Sequence, residues 1–257
     1  MNNRPYIAMS TQLQKGALVV SAHPGDFVWR AGGAIALHAK RGYRVKIVCL
    51  SYGARGESQG AWKQPGATLD TVKRQRHDEA TRAADILGAE IEFFDAEDYP
   101  LELNRAMLDR LVGVYRDVQP AFVLTHAAAD PYNYDHPDAA RFAQQARIIA
   151  QAAGHDPGAA TLGAPPVFLF EPHQPEQCDF KPNVILNIDE VWDIKHQAFE
   201  IMPAQRHLWD YYTRVALQRG AQGGRNAGRS ATYGTAQGMT HGEAFQRVFP
   251  MVLEELA

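Results

Sequence analysis

Apolar residues fall into short runs separated by polar, helix-periodic stretches, and these runs organise the chain. Ala17-Leu-Val-Val-Ser-Ala22 lies between Gly16 and the turn residues Pro24-Gly25. A brief, unbroken apolar run with such boundaries predicts a strand buried on both faces. Similar runs predict strands over 45–51, 91–94, 121–125, 166–171 and 184–188. Between them, apolar residues at helical spacing predict helices over 29–40, 71–87, 103–117 and 137–153. Gly42 and Gly88 stand as helix stops, and Pro137 as the first residue of its helix. Two more helices are expected over 191–205 and 208–219, then a glycine- and arginine-bearing loop over 220–229. Regular alternation of strand and helix predicts an α/β fold. The expectation is a Rossmann-like three-layer α/β/α sandwich with a mostly parallel sheet and a helical, loop-rich C-terminal extension over 191–257. The chain reads as a single domain, with residues 1–15 as a loose polar arm.

Composition narrows the partners. The net charge of -3 argues against non-specific nucleic-acid binding, which needs a basic face. No apolar run approaches the roughly 18 residues of a membrane span. The first residues lack the apolar core of an export signal, so a cytoplasmic location is expected. Cys49 and Cys178 lie far apart and are expected to be reduced. The glycine-rich C-terminal loop and spare aromatic residues point to a homo-oligomer.

Candidate chemistry gathers at the ends of the predicted strands, where open α/β sheets bind ligands. His23 and Asp26 share the turn after the first strand, and His136 ends the loop after the fourth. Two imidazoles and a carboxylate can hold a divalent metal with one position left open, the arrangement of catalytic sites. Asp26 can equally serve only to cap the next helix. Spacing alone leaves these two readings even. Glu57 follows the second strand, and His173 follows the 166–171 run between Pro172 and Pro175. Taken alone, each is more commonly a solvated loop residue. His38, His77, His196 and His207 fall on predicted helices without any partner pattern.

Together these stretches resemble the PIG-L/LmbE-like deacetylase family. The likeness rests on His23-Pro-Gly-Asp-Phe27, Gly32-Gly33, Gly42, Gly53 and Glu57, and on Arg76-His-Asp-Glu79-Ala80 with Leu87-Gly88. Asp135-His136 before a helix and Gly242-Glu-Ala-Phe245 extend it along most of the chain. The resemblance implies a Rossmann-like fold and a divalent metal on His23, Asp26 and His136. Zinc is the usual ion, and ferrous iron or cobalt would suit the same ligands.

Two departures redirect the expected activity. The family motif is His-Pro-Asp-Asp-Glu, whose first aspartate is the general base, and here Gly25 stands in its place. The later family motif is His-Pro-Asp-His, and here Asn133 stands where the assisting histidine would be. Amide hydrolysis needs both a base for water and an acid for the leaving amine. Where a hydrolase keeps a base, this chain is expected to keep empty space at Gly25, which favours hydration of an activated double bond.

Gly25 with Phe27, Glu57, Asn133-Tyr-Asp-His136 and Glu171-Pro-His173 resemble a branch of the family that hydrates 4-oxalomesaconate, or 4-carboxy-2-hydroxymuconate, in gallate and protocatechuate catabolism. That likeness implies Glu57 as the water-activating group and His173 as the catalytic acid. It also implies a small tricarboxylate substrate. Arg55 is the first choice to bind a carboxylate, followed by Arg225 and Arg229, since arginine binds carboxylates bidentately; Asn133 is a further candidate contact. Two other readings remain: a zinc N-deacetylase of an N-acetyl sugar conjugate in which Glu57 replaces the missing base, and a family member that binds metal or ligand without turnover.

Overall fold

In the computed structural model the described residues are 14–227 and 239–254. Seven strands form one sheet in the order β3-β2-β1-β4-β5-β7-β6. They are β1 (Gly16–Ser21), β2 (Arg44–Ser51), β3 (Glu90–Ala96), β4 (Pro120–Thr125), β5 (Val167–Phe170), β6 (Val184–Asn187) and β7 (Gly242–Arg247). The first five pair in parallel, whereas β7 runs antiparallel between β5 and β6. Both faces of the sheet are covered. Helices α4 (Arg105–Val118) and α5 (Asp135–Ala150) cover one face, and α1 (Pro24–Lys40), α3 (Leu69–Leu87) and α6 (Trp192–Glu200) the other. Alternate residues of β1 feed the two cores, Leu18 and Val20 into one and Ala17 and Val19 into the other. This burial on both sides explains the unbroken apolar run. The α/β sandwich is therefore as expected.

Several boundaries differ in ways that bear on the site. Helix α1 begins at Pro24, inside what was expected to be a turn. His23 is its extended N-cap, and Asp26 accepts a hydrogen bond from the His23 backbone N–H at 3.0 Å. Helix α5 begins at Asp135, so Pro137 is its third residue rather than its first. The helix expected over 191–205 is broken. Helix α6 ends at Glu200, and Pro203–Leu208 forms a kinked 3-10 turn in which Gln205 leaves helical geometry.

The glycine-rich stretch holds the largest surprise. The short α2 (Gln59–Trp62) follows Glu57, and α7 (Trp209–Asn226) runs through Gly220, Gly223 and Gly224 as helix. A Cβ on Gly220 would sit 1.9 Å from the Thr240 carbonyl oxygen, and one on Gly223 would strike the Met239 side chain. The glycines thus permit a close approach to the segment entering β7, and that packing holds the helix despite their poor propensity. Strand β7 was not expected, because its buried Glu243 interrupts any apolar pattern. Glu243 accepts from the backbone N–H groups of Gly33 and Ala34, each at 2.7 Å, and pairs with buried Lys195 at 2.7 Å. The Gly242–Phe245 motif therefore ties the last strand to α1. No described helix is long and apolar enough to cross a membrane.

Candidate active site

Strand order places the site. The chain leaves β1 towards β2 on one side and reaches β4 on the other, so a crevice opens where β1 and β4 end. His23 and Asp26 follow β1, His126 follows β4, and His136 lies in the first turn of α5. All four are buried. Asp26 is near the centre, with Oδ2 3.1 Å from His23 Nδ1 and Oδ1 3.4 Å from His136 Nε2. It therefore completes the capping box of α1 and also faces both histidines, so its capping role leaves room for a metal-binding one.

Each of these histidines has its far nitrogen held by a second carboxylate. His23 Nε2 lies 2.9 Å from Asp135 Oδ2, and His136 Nδ1 lies 2.8 Å from Asp130 Oδ2. His136 Nε2 is then a buried atom with no hydrogen-bond partner, turned towards Asp26. A carboxylate behind a histidine with its other nitrogen left free is the arrangement of metal-binding imidazoles. Among the described residues, two sets of donors lie within 4.8 Å of one another: His23, Glu57 and His136, and Asp26, His126 and His136. The expected set of His23, Asp26 and His136 draws on both. His126 is less suited to a metal, because its Nε2 accepts a hydrogen bond from the Ala22 N–H at 2.8 Å.

Electrostatics matches a cation site. Burial opposes charge on His23, but hydrogen bonds with Asp135 and Asp26 outweigh it and push its pKa up to about 10. Burial also works against the Asp26 charge, yet His136, His126 and Arg30 hold its carboxyl well below the usual carboxylate range. His126, desolvated by burial and beside His136, is pushed well below the usual histidine range. The imidazole donors and the Asp26 carboxylate fit a divalent metal of borderline softness.

Glu57 stands beside this centre in a tightly built loop. The Asp98 carboxylate accepts from the backbone N–H groups of Ala54, Arg55 and Gly56 at 2.8–3.1 Å. Gly56 has no room for a side chain, since a Cβ would fall 2.1 Å from the Tyr99 ring. The Glu57 carboxylate then receives three donors. Tyr99 hydroxyl and Asn133 Nδ2 reach Oε1 at 2.7 and 2.8 Å, and Gln205 Nε2 reaches Oε2 at 3.0 Å. Position 25 is not empty space, contrary to the sequence expectation. A Cβ there would lie 2.2 Å from Gln205 Oε1 and 2.6 Å from Trp29 Nε1. The amide of Gln205 fills the volume instead.

A cavity of about 330 Å³ opens over these groups, with Asp26, Arg30, Glu57, His136, His173 and His207 in its walls. Asn133 lines it too. His173 stacks on Tyr211 with ring centroids 4.1 Å apart, and the Tyr211 hydroxyl donates to the His173 carbonyl. Arg219 clamps Glu171 at the base of the same loop. Burial, and then nearby Arg30, pull the His173 pKa below its ordinary value.

The candidate arginines are elsewhere. Arg55 is turned outward, where its Nε donates to Glu97 at 2.8 Å, and it does not line the cavity. Its nearness to Glu57 in sequence misleads because the backbone of the loop, and not the Arg55 side chain, faces the Asp98 anchor. Arg225 is exposed in the last turn of α7 and does not line the cavity either. Arg229 lies outside the described residues. Among the described residues, the arginine in the cavity wall is Arg30, whose buried Nε and Nη1 have no hydrogen-bond partner. Its signal in the sequence was the i,i+4 spacing from Asp26, which puts both on one face of α1. Tyr99 and Gln205 carry no such local signal.

Similarity to known proteins follows the same lines. Residues 18–147 match the family described as PIG-L: GlcNAc-PI de-N-acetylase. A 4-oxalmesaconate hydratase from Pseudomonas putida is 57% identical over 244 residues, covering 95% of this chain and 93% of that protein. The crystal structure of GalB, the 4-carboxy-2-hydroxymuconate hydratase of Pseudomonas putida, superposes with a TM-score of 0.91 at 55% identity, covering 95% of this chain and 100% of that one. An N,N'-diacetylchitobiose deacetylase from Pyrococcus horikoshii shares the fold at a TM-score of 0.72 and 22% identity, covering 91% of this chain and 83% of that one. With a family match over the half that carries His23, Asp26, Glu57 and His136, and that identity along nearly its whole length, the chain belongs to the PIG-L family.

Proposed function

We propose that this protein is a metal-dependent hydro-lyase that adds water to 4-oxalomesaconate, giving 4-carboxy-4-hydroxy-2-oxoadipate. The observation that carries the reading is the 57% identity, over 95% of the chain, to a protein named for this hydration. The site is consistent with it. Gly25 offers no side chain to act as a base, the space beside it is filled by Gln205, and Glu57 is the carboxylate held at the cavity wall.

His23, Asp26 and His136 are the residues that would hold the metal, zinc being the ion we favour. Such an ion supplies Lewis acidity that makes water a nucleophile near neutral pH. The remaining work belongs to the chain. Glu57, fixed by three donors, orients the water and takes a proton from it. Hydroxide adds to the alkene carbon that carries a carboxylate, and the π electrons of the double bond shift to the neighbouring carbon. His173, in the same cavity, delivers the proton that this second carbon takes up. Arg30, in the cavity wall, supplies the positive charge that a tricarboxylate needs.

The test is turnover of the zinc-loaded protein on 4-oxalomesaconate beside an N-acetyl sugar. Loss of alkene absorbance with no acetate release is expected, and acetate release with the tricarboxylate untouched would overturn the proposal. Glu57→Ala and His173→Ala should each lose roughly 100-fold or more in kcat, the size of a general acid or base contribution, while retaining metal.

A further inference from the structure

We infer that Gln205 is a positioning residue that fixes the orientation of the Glu57 carboxylate, which rests on the reading of Glu57 as the group that activates water. Neither its sequence neighbourhood nor its place in a kinked turn marks Gln205 for a role, yet it is buried and lines the cavity. Its amide can sit only one way round. Oε1 faces two groups that only donate, Arg76 Nη2 at 3.0 Å and Trp29 Nε1 at 3.4 Å. Nε2 faces Glu57 Oε2 at 3.0 Å, which as a carboxylate only accepts. A flipped amide would set donor against donor and acceptor against acceptor.

The anchor behind the amide is rigid. Arg76 is fully buried on α3, and its Nη1 donates to Glu79 at 2.5 Å; Gln75 in turn donates to Glu79 at 2.8 Å. The turn carrying Gln205 is seated against α2, where Gly60 lets the Ala204 carbonyl approach to within 2.8 Å of where a Cβ would lie. Gly25 completes the arrangement, since any side chain there would displace the Gln205 oxygen. Tyr99 and Asn133 both act on Oε1, so Gln205 is the donor that governs the other oxygen and stops the carboxylate from rotating.

A double-mutant cycle on the zinc-loaded protein, read as kcat and KM on 4-oxalomesaconate, tests this. Gln205→Met keeps the volume and removes the donor. It should lower kcat by roughly 10- to 100-fold, as expected for losing a hydrogen bond to a charged group, with KM moved by less than about threefold. Gly25→Ala should lower kcat similarly by pushing the amide aside. The double variant should be no worse than the poorer single one, because both act through one contact. Additive losses, or near-normal kcat in Gln205→Met, would overturn the inference. Metal content and the thermal midpoint of each variant separate misfolding from misplacement. If Gly25→Ala does not fold, Gln205→Met against Gln205→Asn, whose shorter amide should recover part of the loss, decides the matter. Glu57→Ala is measured alongside. Near-normal turnover there removes the catalytic reading itself, whereas its loss together with an unaffected Gln205→Met removes only the role of Gln205.

Discussion

Arg30 shows how one residue can serve two neighbours. Its Nη2 lies 3.6 Å from Asp26 Oδ1, so it helps to keep that carboxyl ionised, while Nε and Nη1 have no hydrogen-bond partner. Buried donors without partners are costly, by about 1–3 kcal/mol each, and an anionic substrate drawn close to Arg30 in the cavity wall would lower that cost. Arg30→Gln should therefore raise KM for the tricarboxylate by roughly 10- to 100-fold, with a smaller change in kcat and the metal retained, as steady-state kinetics with metal analysis would check. His173 makes a second prediction. Burial and Arg30 lower its pKa, so in the free protein it loses its proton below the ordinary histidine value. If it is the acid, kcat/KM falls as pH rises through that lowered pKa, and His173→Ala abolishes this limb of the pH profile. Of the candidate residues, His23, Asp26 and His136 are legible as strand-end residues, whereas Glu57 stands out only through the family resemblance, because a lone loop carboxylate carries no local pattern. Arg55 could be picked out and yet points away, because sequence spacing does not say on which side of a loop a side chain emerges.

At the scale of elements, glycine placement reports packing rather than flexibility. An exposed Gly→Ala change inside a helix normally stabilises by about 1 kcal/mol. Gly220→Ala in α7 should instead destabilise, because the added Cβ meets the Thr240 carbonyl at 1.9 Å, in backbone that cannot move aside cheaply. A loss of about 1–3 kcal/mol is expected, typical of overpacking, and urea unfolding would measure it. The expected loop over 220–229 is helix over 220–226 for the same reason, with 228–229 outside the described residues. Propensity was read without the strand against which the helix lies. Strand β7 was hidden likewise, since Glu243 spoils its apolar pattern until its partners Lys195, Gly33 and Ala34 are in view. By contrast, β1 and the C-terminal parts of β2 and β4 are legible in the sequence because their residues are buried on both faces and need no particular partner to be apolar.

At the scale of the whole molecule, the candidate metal ligands join the segment after β1 to the first turn of α5, so metal binding should couple to global stability. Removing the ion with a chelator should lower the thermal midpoint, and restoring zinc should raise it in a concentration-dependent way. Proton linkage gives the sign of the pH effect. In the metal-free protein His23 holds its proton up to a pKa of about 10. A metal must displace that proton, so affinity rises with pH across the neutral range, and titration calorimetry in buffers of different ionisation enthalpy should record proton release. Affinity that does not change between acidic and neutral pH would contradict this account of His23.

The amino-acid sequence by itself determined the alternation of strands and helices, the placing of His23, Asp26, Glu57 and His136 in segments that follow strands, and the glycine that excludes a base at position 25. These follow from local periodicity and local turn chemistry, which are written within a few residues of one another. Tertiary structure alone decided that β1 and β4 lie side by side, that Asp135 and Asp130 stand behind the two histidines, and that Arg30 rather than Arg55 faces the cavity. It also decided that Gln205 reaches Glu57 across 148 positions of chain. Such contacts depend on how distant segments are brought together, and a polar residue in an irregular turn looks the same in sequence whether it meets solvent or a carboxylate.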